Sequence, residues 1–462
     1  MMKAQEKQKI LVIGAGLSGL AAARAMKKRG HIVFIQDRRT IDALGGKASQ
    51  ELAHICEACY FGVNPPEDSR FDMLILSPGV SPELPLVKEK KEEGAEITGE
   101  LELAYRLSKG RFIAITGTNG KTTTTSLVGR IFETAGEKTH VTGNIGLPVI
   151  SCVEEAGEDD VFVTEVSSFQ LETARTFHPA ISAILNLTPD HLDRHHTFEE
   201  YGRVKAKIFE NQGPGDFLII NKDDPRCYRL ADTCPCRKVP FSRKEQLPFG
   251  AFVDRGWIVI RDEEKRVELV RTEDLRIIGD HNVENALAAS AIAYFFGIDP
   301  LAIRQALKSF PGVSHRIEYC GEIAGVKYYN DSKGTNVDAT ITALKAIRQN
   351  ILLIAGGDAK GQDFRSLAEA LPGRVKTLIL MGRDGHLIAE AAKKAGFSDY
   401  IYCKDMRESV SQACAMADQG DTVLLSPACA SWDMYKNYEE RGDDFKACVQ
   451  AWEAEAGKAD KR

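Results

Sequence analysis

Thr116-Gly117-Thr118-Asn119-Gly120-Lys121-Thr122, directly after the apolar run Phe112-Ile113-Ala114-Ile115, is the segment of this 462-residue chain with the plainest chemistry. A buried strand running into a glycine-rich turn, with a lysine and a hydroxyl opening a helix, wraps backbone N–H groups and a cation around phosphate oxygens. A nucleoside triphosphate is the expected guest, held by Gly117, Thr118, Asn119, Gly120, Lys121, Thr122 and Thr123. The full phosphate-loop pattern asks for glycine where Ile115 stands, and a Gly-Lys-Thr turn also serves as a plain strand-to-helix connection.

A second phosphate-binding pattern lies near the amino terminus. Gly14-Ala15-Gly16-Leu17-Ser18-Gly19 follows an apolar strand at residues 10–13, and a strand at 32–36 ends at Asp37. That is the dinucleotide fingerprint, so a nicotinamide enzyme is one reading. The same turn holds any diphosphate, including that of a nucleotide sugar. A strand at 73–76 ends in Ser77-Pro78-Gly79, at the edge where open parallel sheets bind ligands.

Beyond the phosphate loop, a strand at 138–141 leads to Gly143-Asn144, one at 160–164 delivers Glu165, and one at 181–185 delivers Asn186, with Asp190-His191 next. Each could be a surface turn residue; together they build a reaction edge suited to metal and phosphate. On a helix expected over 198–211, advancing about 100° per residue puts Phe198, Val204, Ile208 and Phe209 within about 80° of Tyr201, and Lys205 at about 40°. A lysine there either snorkels along its stem or is buried, and burial lowers its pKa and frees the amine. Gly279-Asp280-His281-Asn282-Val283-Glu284-Asn285 opens an alanine-rich helix on which Asn282 and Asn285 share a face suited to a nucleotide base; Asn282 could equally cap it.

The last third repeats the theme, with a hinge expected at Pro311-Gly312. A strand at 326–329 runs into Asn330-Asp331-Ser332-Lys333-Gly334-Thr335-Asn336, and a strand at 351–355 into Gly356-Gly357-Asp358 with Lys360 close by. A strand at 422–425 meets Ser426-Pro427-Ala428-Cys429-Ala430-Ser431. Arg316, Lys333 and Lys360 read either as solvated charges or as clamps for phosphate and carboxylate.

Strands alternating with helices throughout imply parallel, doubly wound sheets, and the length suits about three domains. A formal net charge of −6 offers no attraction for nucleic acid or an anionic membrane. The 11 cysteines are odd in number and scattered, as expected of reduced thiols in the cytoplasm. Cys56/Cys59 and Cys234/Cys236 lack further ligands at zinc spacing. No apolar run is long enough to span a bilayer.

The phosphate loop, Glu165-Val166-Ser167-Ser168-Phe169-Gln170-Leu171, His281-Asn282, His315-Arg316 and Asp331-Ser332-Lys333-Gly334-Thr335-Asn336, in this order, resemble the Mur ligases of peptidoglycan synthesis over nearly the whole chain. Leu425-Ser426-Pro427-Ala428-Cys429-Ala430-Ser431-Trp432-Asp433 with Arg441-Gly442-Asp443-Asp444-Phe445 is similar to the family's D-glutamate-adding branch. The resemblance implies an α/β protein of three domains. These are a Rossmann-like domain for a UDP substrate (1–98), a central P-loop ATPase-type domain with a parallel sheet (99–312) and a Rossmann-like amino-acid-binding domain (313–462). It also accounts for Ile115, because the family's phosphate loop is a shortened variant.

The implied reaction joins D-glutamate to UDP-N-acetylmuramoyl-L-alanine at the expense of ATP, through an acyl phosphate and a tetrahedral intermediate, in the cytoplasm, by a monomer using two Mg²⁺ ions. By the same resemblance, Thr122 and Glu165 ligate one ion, and His191 with a carbamylated Lys205 the other. Asn282, Asn285, Arg316 and Asp331 bind ATP, and Lys333 steadies the intermediate. Gly16, Leu17, Ser18, Asp37, Arg39 (with Arg38 the alternative), Gly79, Asn144 and His191 meet the UDP substrate. Thr335, Lys360, Ser431 and Tyr438, where the family often has phenylalanine, surround D-glutamate, and the third domain is expected to swing closed. Competing readings are a folylpolyglutamate synthase, which has no need of the Gly14 to Gly19 turn, a nicotinamide oxidoreductase, which leaves Lys121 and Lys333 unexplained, and a nucleotide-binding regulator without turnover.

Overall fold

The computed structural model describes residues 7–44, 46–347 and 350–459. The chain forms two compact units, one of residues up to Glu273 with Glu284–Leu307, the other of Asp274–Val283 with the residues from Lys308 on. The division passes through the helix Asp280–Phe296.

The first unit carries two sheets. One has five parallel strands in the order Ala58–Phe61, Ile32–Asp37, Lys9–Ile13, Met73–Leu76, Glu96–Gly99. Lys9–Ile13 pairs with the strand after it on one side and with Met73–Leu76 on the other, a topological switch point. Ile13 is level with both Gln36 and Leu76, so the turn at Gly14, Asp37 and Ser77 emerge at one edge. Gly19, in the helix Leu17–Lys28, must lack a side chain, since a Cβ there would lie 1.8 Å from the Gly14 carbonyl oxygen.

The second sheet has nine strands: Arg266–Arg271, Trp257–Arg261, Gly250–Asp254, Arg237–Ser242, Phe217–Asn221, Ile181–Ile184, Arg111–Thr116, Val161–Glu165, Thr139–Gly143. It is parallel from Thr139–Gly143 through Gly250–Asp254, and its apolar runs at 112–115, 161–163 and 218–220 are fully buried, as expected of strands covered on both faces. Trp257–Arg261 and Arg266–Arg271 extend it with antiparallel pairings, a departure from the all-parallel sheet expected. Arg111–Thr116, the strand before the phosphate loop, lies between Val161–Glu165 and Ile181–Ile184, with Ile115 opposite Glu165 and Thr116 opposite Ile184.

In the second unit, six strands run Glu318–Ile323, Val326–Asn330, Thr422–Leu425, Ile351–Gly356, Val375–Met381, Tyr400–Tyr402, with Glu318–Ile323 alone antiparallel. Leu425 is level with both Asn330 and Ile354, which brings the loops beginning at Asp331, Ser426 and Gly356 to one edge.

One predicted element changes. The helix expected over 198–211 is α-helical only over Phe198–Ala206 and tightens to a 3₁₀ turn at Lys207–Phe209, with Ile208 and Phe209 buried as their place on the apolar face predicts.

Candidate active site

The phosphate loop is built on Gly120, which has φ +82° and precedes the helix Lys121–Thr134. A Cβ at Gly120 would also lie 2.3 Å from Asn285 Oδ1, so glycine is required on two counts. Lys121 Nζ donates to the carbonyls of Gly117 (2.9 Å) and Thr118 (2.8 Å). An amide pair clamps the loop: Asn119 N donates to Asn186 Oδ1 at 2.8 Å and Asn186 Nδ2 to the Asn119 carbonyl at 3.0 Å. The sequence places Asn186 at a strand end, and only the tertiary fold pairs it with Asn119. Thr118 Oγ1 is within 3.2 Å of the Tyr201 hydroxyl. Thr123 is buried in the helix base.

Lys205 is 2 % exposed, so it does not snorkel. The Thr197 hydroxyl caps its helix by accepting from Glu200 N, and the buried face carries Tyr201 and Val204 beside Lys205. Lys205 Nζ donates to Thr116 Oγ1 (3.3 Å) and to the Gly117 carbonyl (3.0 Å), and lies 4.6 Å from the Tyr201 ring centroid. Two ammonium groups therefore converge on one carbonyl. Burial first, and then the charge of Lys121, push the Lys205 amine down to about 7. At neutral pH a substantial share of it is the uncharged nucleophile.

Glu165 is 2 % exposed at the end of its strand. Its Oε1 accepts from Asn144 Nδ2 at 2.9 Å, while its Oε2 is buried with no hydrogen-bond partner. A buried carboxylate oxygen left unpaired is costly, and a cation would satisfy it. Among the described residues no three of His, Cys, Asp and Glu stand together as a ready metal cage. A carbamate on Lys205 would supply the further oxygens such a site needs. His191 begins the short helix Leu192–His195 with φ +52°, its ring 4.8 Å from that of Phe169.

At the edge of the five-stranded sheet a cavity of about 810 Å³ is lined by Gly16, Leu17, Ser18, Asp37, Arg39 and Gly79, and also by Arg38 and Arg194. Its volume suits a nucleotide. Asp37 Oδ2 accepts from Ala15 N at 2.7 Å, pinning the glycine turn, and Arg39 forms a two-pronged pair with the same carboxylate (2.8 and 3.0 Å). That pairing holds Asp37 down at about 2. Arg194 Nη2 donates to the Val80 carbonyl at 3.0 Å. Asn144 is engaged with Glu165 instead of facing this cavity.

On the alanine-rich helix, Asn285 Oδ1 accepts from Thr124 Oγ1 at 3.2 Å and Asn282 Nδ2 donates to the Ile278 carbonyl at 2.8 Å; both residues are buried. In the second unit, Asp331 accepts from Ser426 Oγ (2.7 Å) and Ile317 N (3.2 Å), and burial pushes its carboxyl up to about 7. Arg316, next to Ile317, is among the charges that moderate that rise. Lys333 Nζ lies 5.6 Å from the Tyr438 ring centroid. Burial, foremost, raises the Tyr438 phenol to about 12, so its added hydroxyl stays neutral at physiological pH.

Two residues outside the predicted set organise this edge. Gln362 Nε2 donates to the carbonyls of Thr335 (3.4 Å), Ala359 (3.2 Å) and Ala428 (3.3 Å), while its Oε1 accepts from Val337 N (3.2 Å). Arg441, 2 % exposed, reaches Ser332 Oγ (3.0 Å) and the carbonyls of Ser332 (2.9 Å) and Cys429 (3.1 Å). They tie together the loops that bear Lys333, Thr335, Lys360 and Ser431. The long spacing between Arg441 and its partners hid that role, although its place in the recognised Arg441–Phe445 motif was a signal.

Comparison with known proteins matches three segments of the chain to family models. Residues 8–99 match the Mur ligase MurD-like N-terminal domain, 115–293 the Mur ligase middle domain and 315–429 the Mur ligase glutamate ligase domain. The chain is similar to the UDP-N-acetylmuramoylalanine–D-glutamate ligase of Alkaliphilus metalliredigens, at 44 % identity over 96 % of this chain and 98 % of that one. The enzyme of the same name from Caldanaerobacter subterraneus is 47 % identical over 97 % of this chain and 99 % of that one. Among solved structures, the fold resembles the UDP-N-acetylmuramate–alanine ligase of Thermotoga maritima, with TM-score 0.59, 19 % identity and coverage of 96 % and 99 %.

Proposed function

The chain belongs to the Mur ligase family and is an ATP-dependent ligase that joins D-glutamate to UDP-N-acetylmuramoyl-L-alanine; we propose that it does so with the residues gathered at these sheet edges. The observation that carries the site reading is the meeting of Lys121 and Lys205 on the Gly117 carbonyl, with the open oxygen of Glu165 among the charges felt by Lys205.

The cavity at Gly16 to Ser18 takes the UDP part of the substrate. Its turn presents backbone N–H groups to the diphosphate, and Arg39, positioned by Asp37, faces the same space. Asp37 is committed to Ala15 N and Arg39, which leaves it poorly placed as the ribose-binding acid of a nicotinamide site. Lys121 turns from the Gly117 and Thr118 carbonyls to the β and γ phosphates of ATP, with the loop amides around them, while Asn282 and Asn285 bind adenine and Arg316 and Asp331 the ribose and phosphates.

Thr122, Glu165, His191 and a carbamylated Lys205 would hold two Mg²⁺ ions, which when bound neutralise the charge of the phosphates and of the acyl phosphate. The neutral Lys205 amine adds to carbon dioxide, releasing one proton and leaving a carbamate in the amine's place. The alanine carboxylate attacks the γ-phosphoryl group, ADP departs, and the D-glutamate amine displaces phosphate through a tetrahedral intermediate. Lys333 balances the negative charge gathered in that second step, and Thr335, Lys360, Ser431 and Tyr438 orient the acceptor.

A catalyst that handles a UDP precursor with all 11 cysteines free belongs in the cytoplasm, and we take it to act as a monomer. Among the described residues no helix is long and apolar enough to cross a membrane.

The test supplies UDP-N-acetylmuramoyl-L-alanine, ATP and Mg²⁺ with D-glutamate, L-glutamate, meso-diaminopimelate or L-alanine. Phosphate release with D-glutamate is expected; release with another acceptor and none with D-glutamate refutes the assignment. Lys205→Ala should abolish turnover, with partial return on adding a short carboxylic acid, and an unrescued mutant of full activity refutes the metal-binding role.

A further inference from the structure

Lys360 stands on a turn whose shape is held from several sides. Its φ is +49°, a conformation uphill for a residue with a side chain. Its own N–H donates to Asp358 Oδ1 at 3.1 Å, and the preceding Ala359 N to Asp384 Oδ2 at 2.8 Å. Asp358 and Ala430 exchange both backbone hydrogen bonds at 2.9 Å, which joins the turn to the loop that ends at Ser431. The two acids beside Lys360 are matched by another cation, since Arg383 Nη2 lies 2.7 Å from Asp358 Oδ1 and 3.0 Å from Asp384 Oδ2. The Lys360 ammonium lies instead over an indole, 3.7 Å from the centroid of Trp432. Trp432 is 65 % exposed, while its neighbour Ser431 is 2 % exposed.

We propose that Trp432 is a positioning residue for the amino-acid acceptor, a platform that holds the Lys360 ammonium in place without neutralising it. The inference rests on the assignment of Lys360 and Ser431 to D-glutamate. A solvent-facing lysine loses considerable rotamer freedom when it binds a carboxylate. A ring quadrupole attracts the cation over one face and so removes part of that loss beforehand. A carboxylate partner would order the side chain equally well, but its charge would repel the incoming one. The ring leaves the outward N–H groups and the full positive charge available. This explains why a large apolar side chain stays exposed at this edge, and why Arg383 is placed to occupy the local acids.

The experiment compares Trp432→Leu and Trp432→Phe with the unaltered enzyme, at saturating ATP and UDP-N-acetylmuramoyl-L-alanine. Trp432→Leu keeps an apolar side chain but has no quadrupole. It should raise KM for D-glutamate roughly threefold to tenfold, with kcat and the KM values for ATP and the UDP substrate within about twofold. Trp432→Phe should recover most of the loss. An unchanged KM for D-glutamate in Trp432→Leu overturns the proposal, as does a Trp432→Phe enzyme as impaired as Trp432→Leu. A parallel loss in all three KM values and kcat also overturns it, because that pattern belongs to packing. The unaltered enzyme carries the separate test of the acceptor: if it turns over with D-glutamate, an unchanged Trp432→Leu counts against the ring alone.

Discussion

Replacing Lys205 by methionine should make the first unit more stable while leaving it inactive. The Lys205 amine falls from an ordinary value of 10.5 to about 7, so the unfolded chain binds the more protons of the two states between those values. Stability therefore rises with pH across that window, and the penalty of the buried charge is complete below about pH 7. At about 1.4 kcal/mol per pH unit, the interval amounts to about 5 kcal/mol. Methionine has no such penalty but leaves Thr116 Oγ1 and the Gly117 carbonyl without a donor, a pH-independent loss of about 1–3 kcal/mol. The net advantage of Lys205→Met below pH 7 is then about 2–4 kcal/mol. It should shrink by about 3 kcal/mol by pH 9, because the ordinary lysine regains stability as it sheds its proton.

The assay is urea denaturation in buffers free of carbon dioxide, at pH 6, 7.5 and 9. Emission of Trp257, which belongs to this unit, is followed with Trp432 and Trp452 replaced by phenylalanine. Adding bicarbonate at pH 8 should then stabilise the lysine protein alone, through the carbamate. A gap independent of pH, or a methionine variant less stable than the lysine protein at pH 6, refutes the reasoning.

Two further outcomes follow from buried acids of the same unit. Glu100 is 2 % exposed, with Oε1 accepting from Ile150 N at 2.7 Å and Oε2 without a partner, and burial raises it to about 7. The folded state thus holds the proton more tightly, and stability is lost as pH rises from the ordinary 4.5 to about 7; Glu100→Gln should match the parent at pH 4 and exceed it by about 3 kcal/mol at pH 7.5 in the same urea assay. Glu102 accepts from the backbone N–H groups of Arg175, Thr176 and Phe177 and from Thr176 Oγ1, so Glu102→Gln should cost about 2 kcal/mol and speed hydrogen exchange at residues 175–177; unchanged exchange there would refute the role.

The sequence alone determined the features that depend on neighbours in the chain. The turns at Gly14 to Gly19 and Gly117 to Thr122 need particular residues at adjacent positions, because backbone N–H groups must point inward and only glycine tolerates the close approach. Continuous apolar runs such as 112–115 and 161–163 identify strands covered on both faces. The 3.6-residue period placed Lys205 on the apolar face of its helix, where the structure has it. That period does not show the change from α-helix to 3₁₀ turn after Ala206.

Tertiary structure alone decided matters of distance between remote residues. Whether Lys205 snorkels or is buried depends on Thr116 and Gly117, some 90 positions away, and its low pKa arises from that burial and from Lys121. The unpaired oxygen of Glu165, the clamp of Asn186 on Asn119, the reach of Arg441 to Ser332 and the seat of Lys360 on Trp432 likewise join segments with no local sequence relation. Residue types and spacing specify what chemistry is possible; desolvation and charge, which decide whether a group performs it, depend on every atom the fold packs around it.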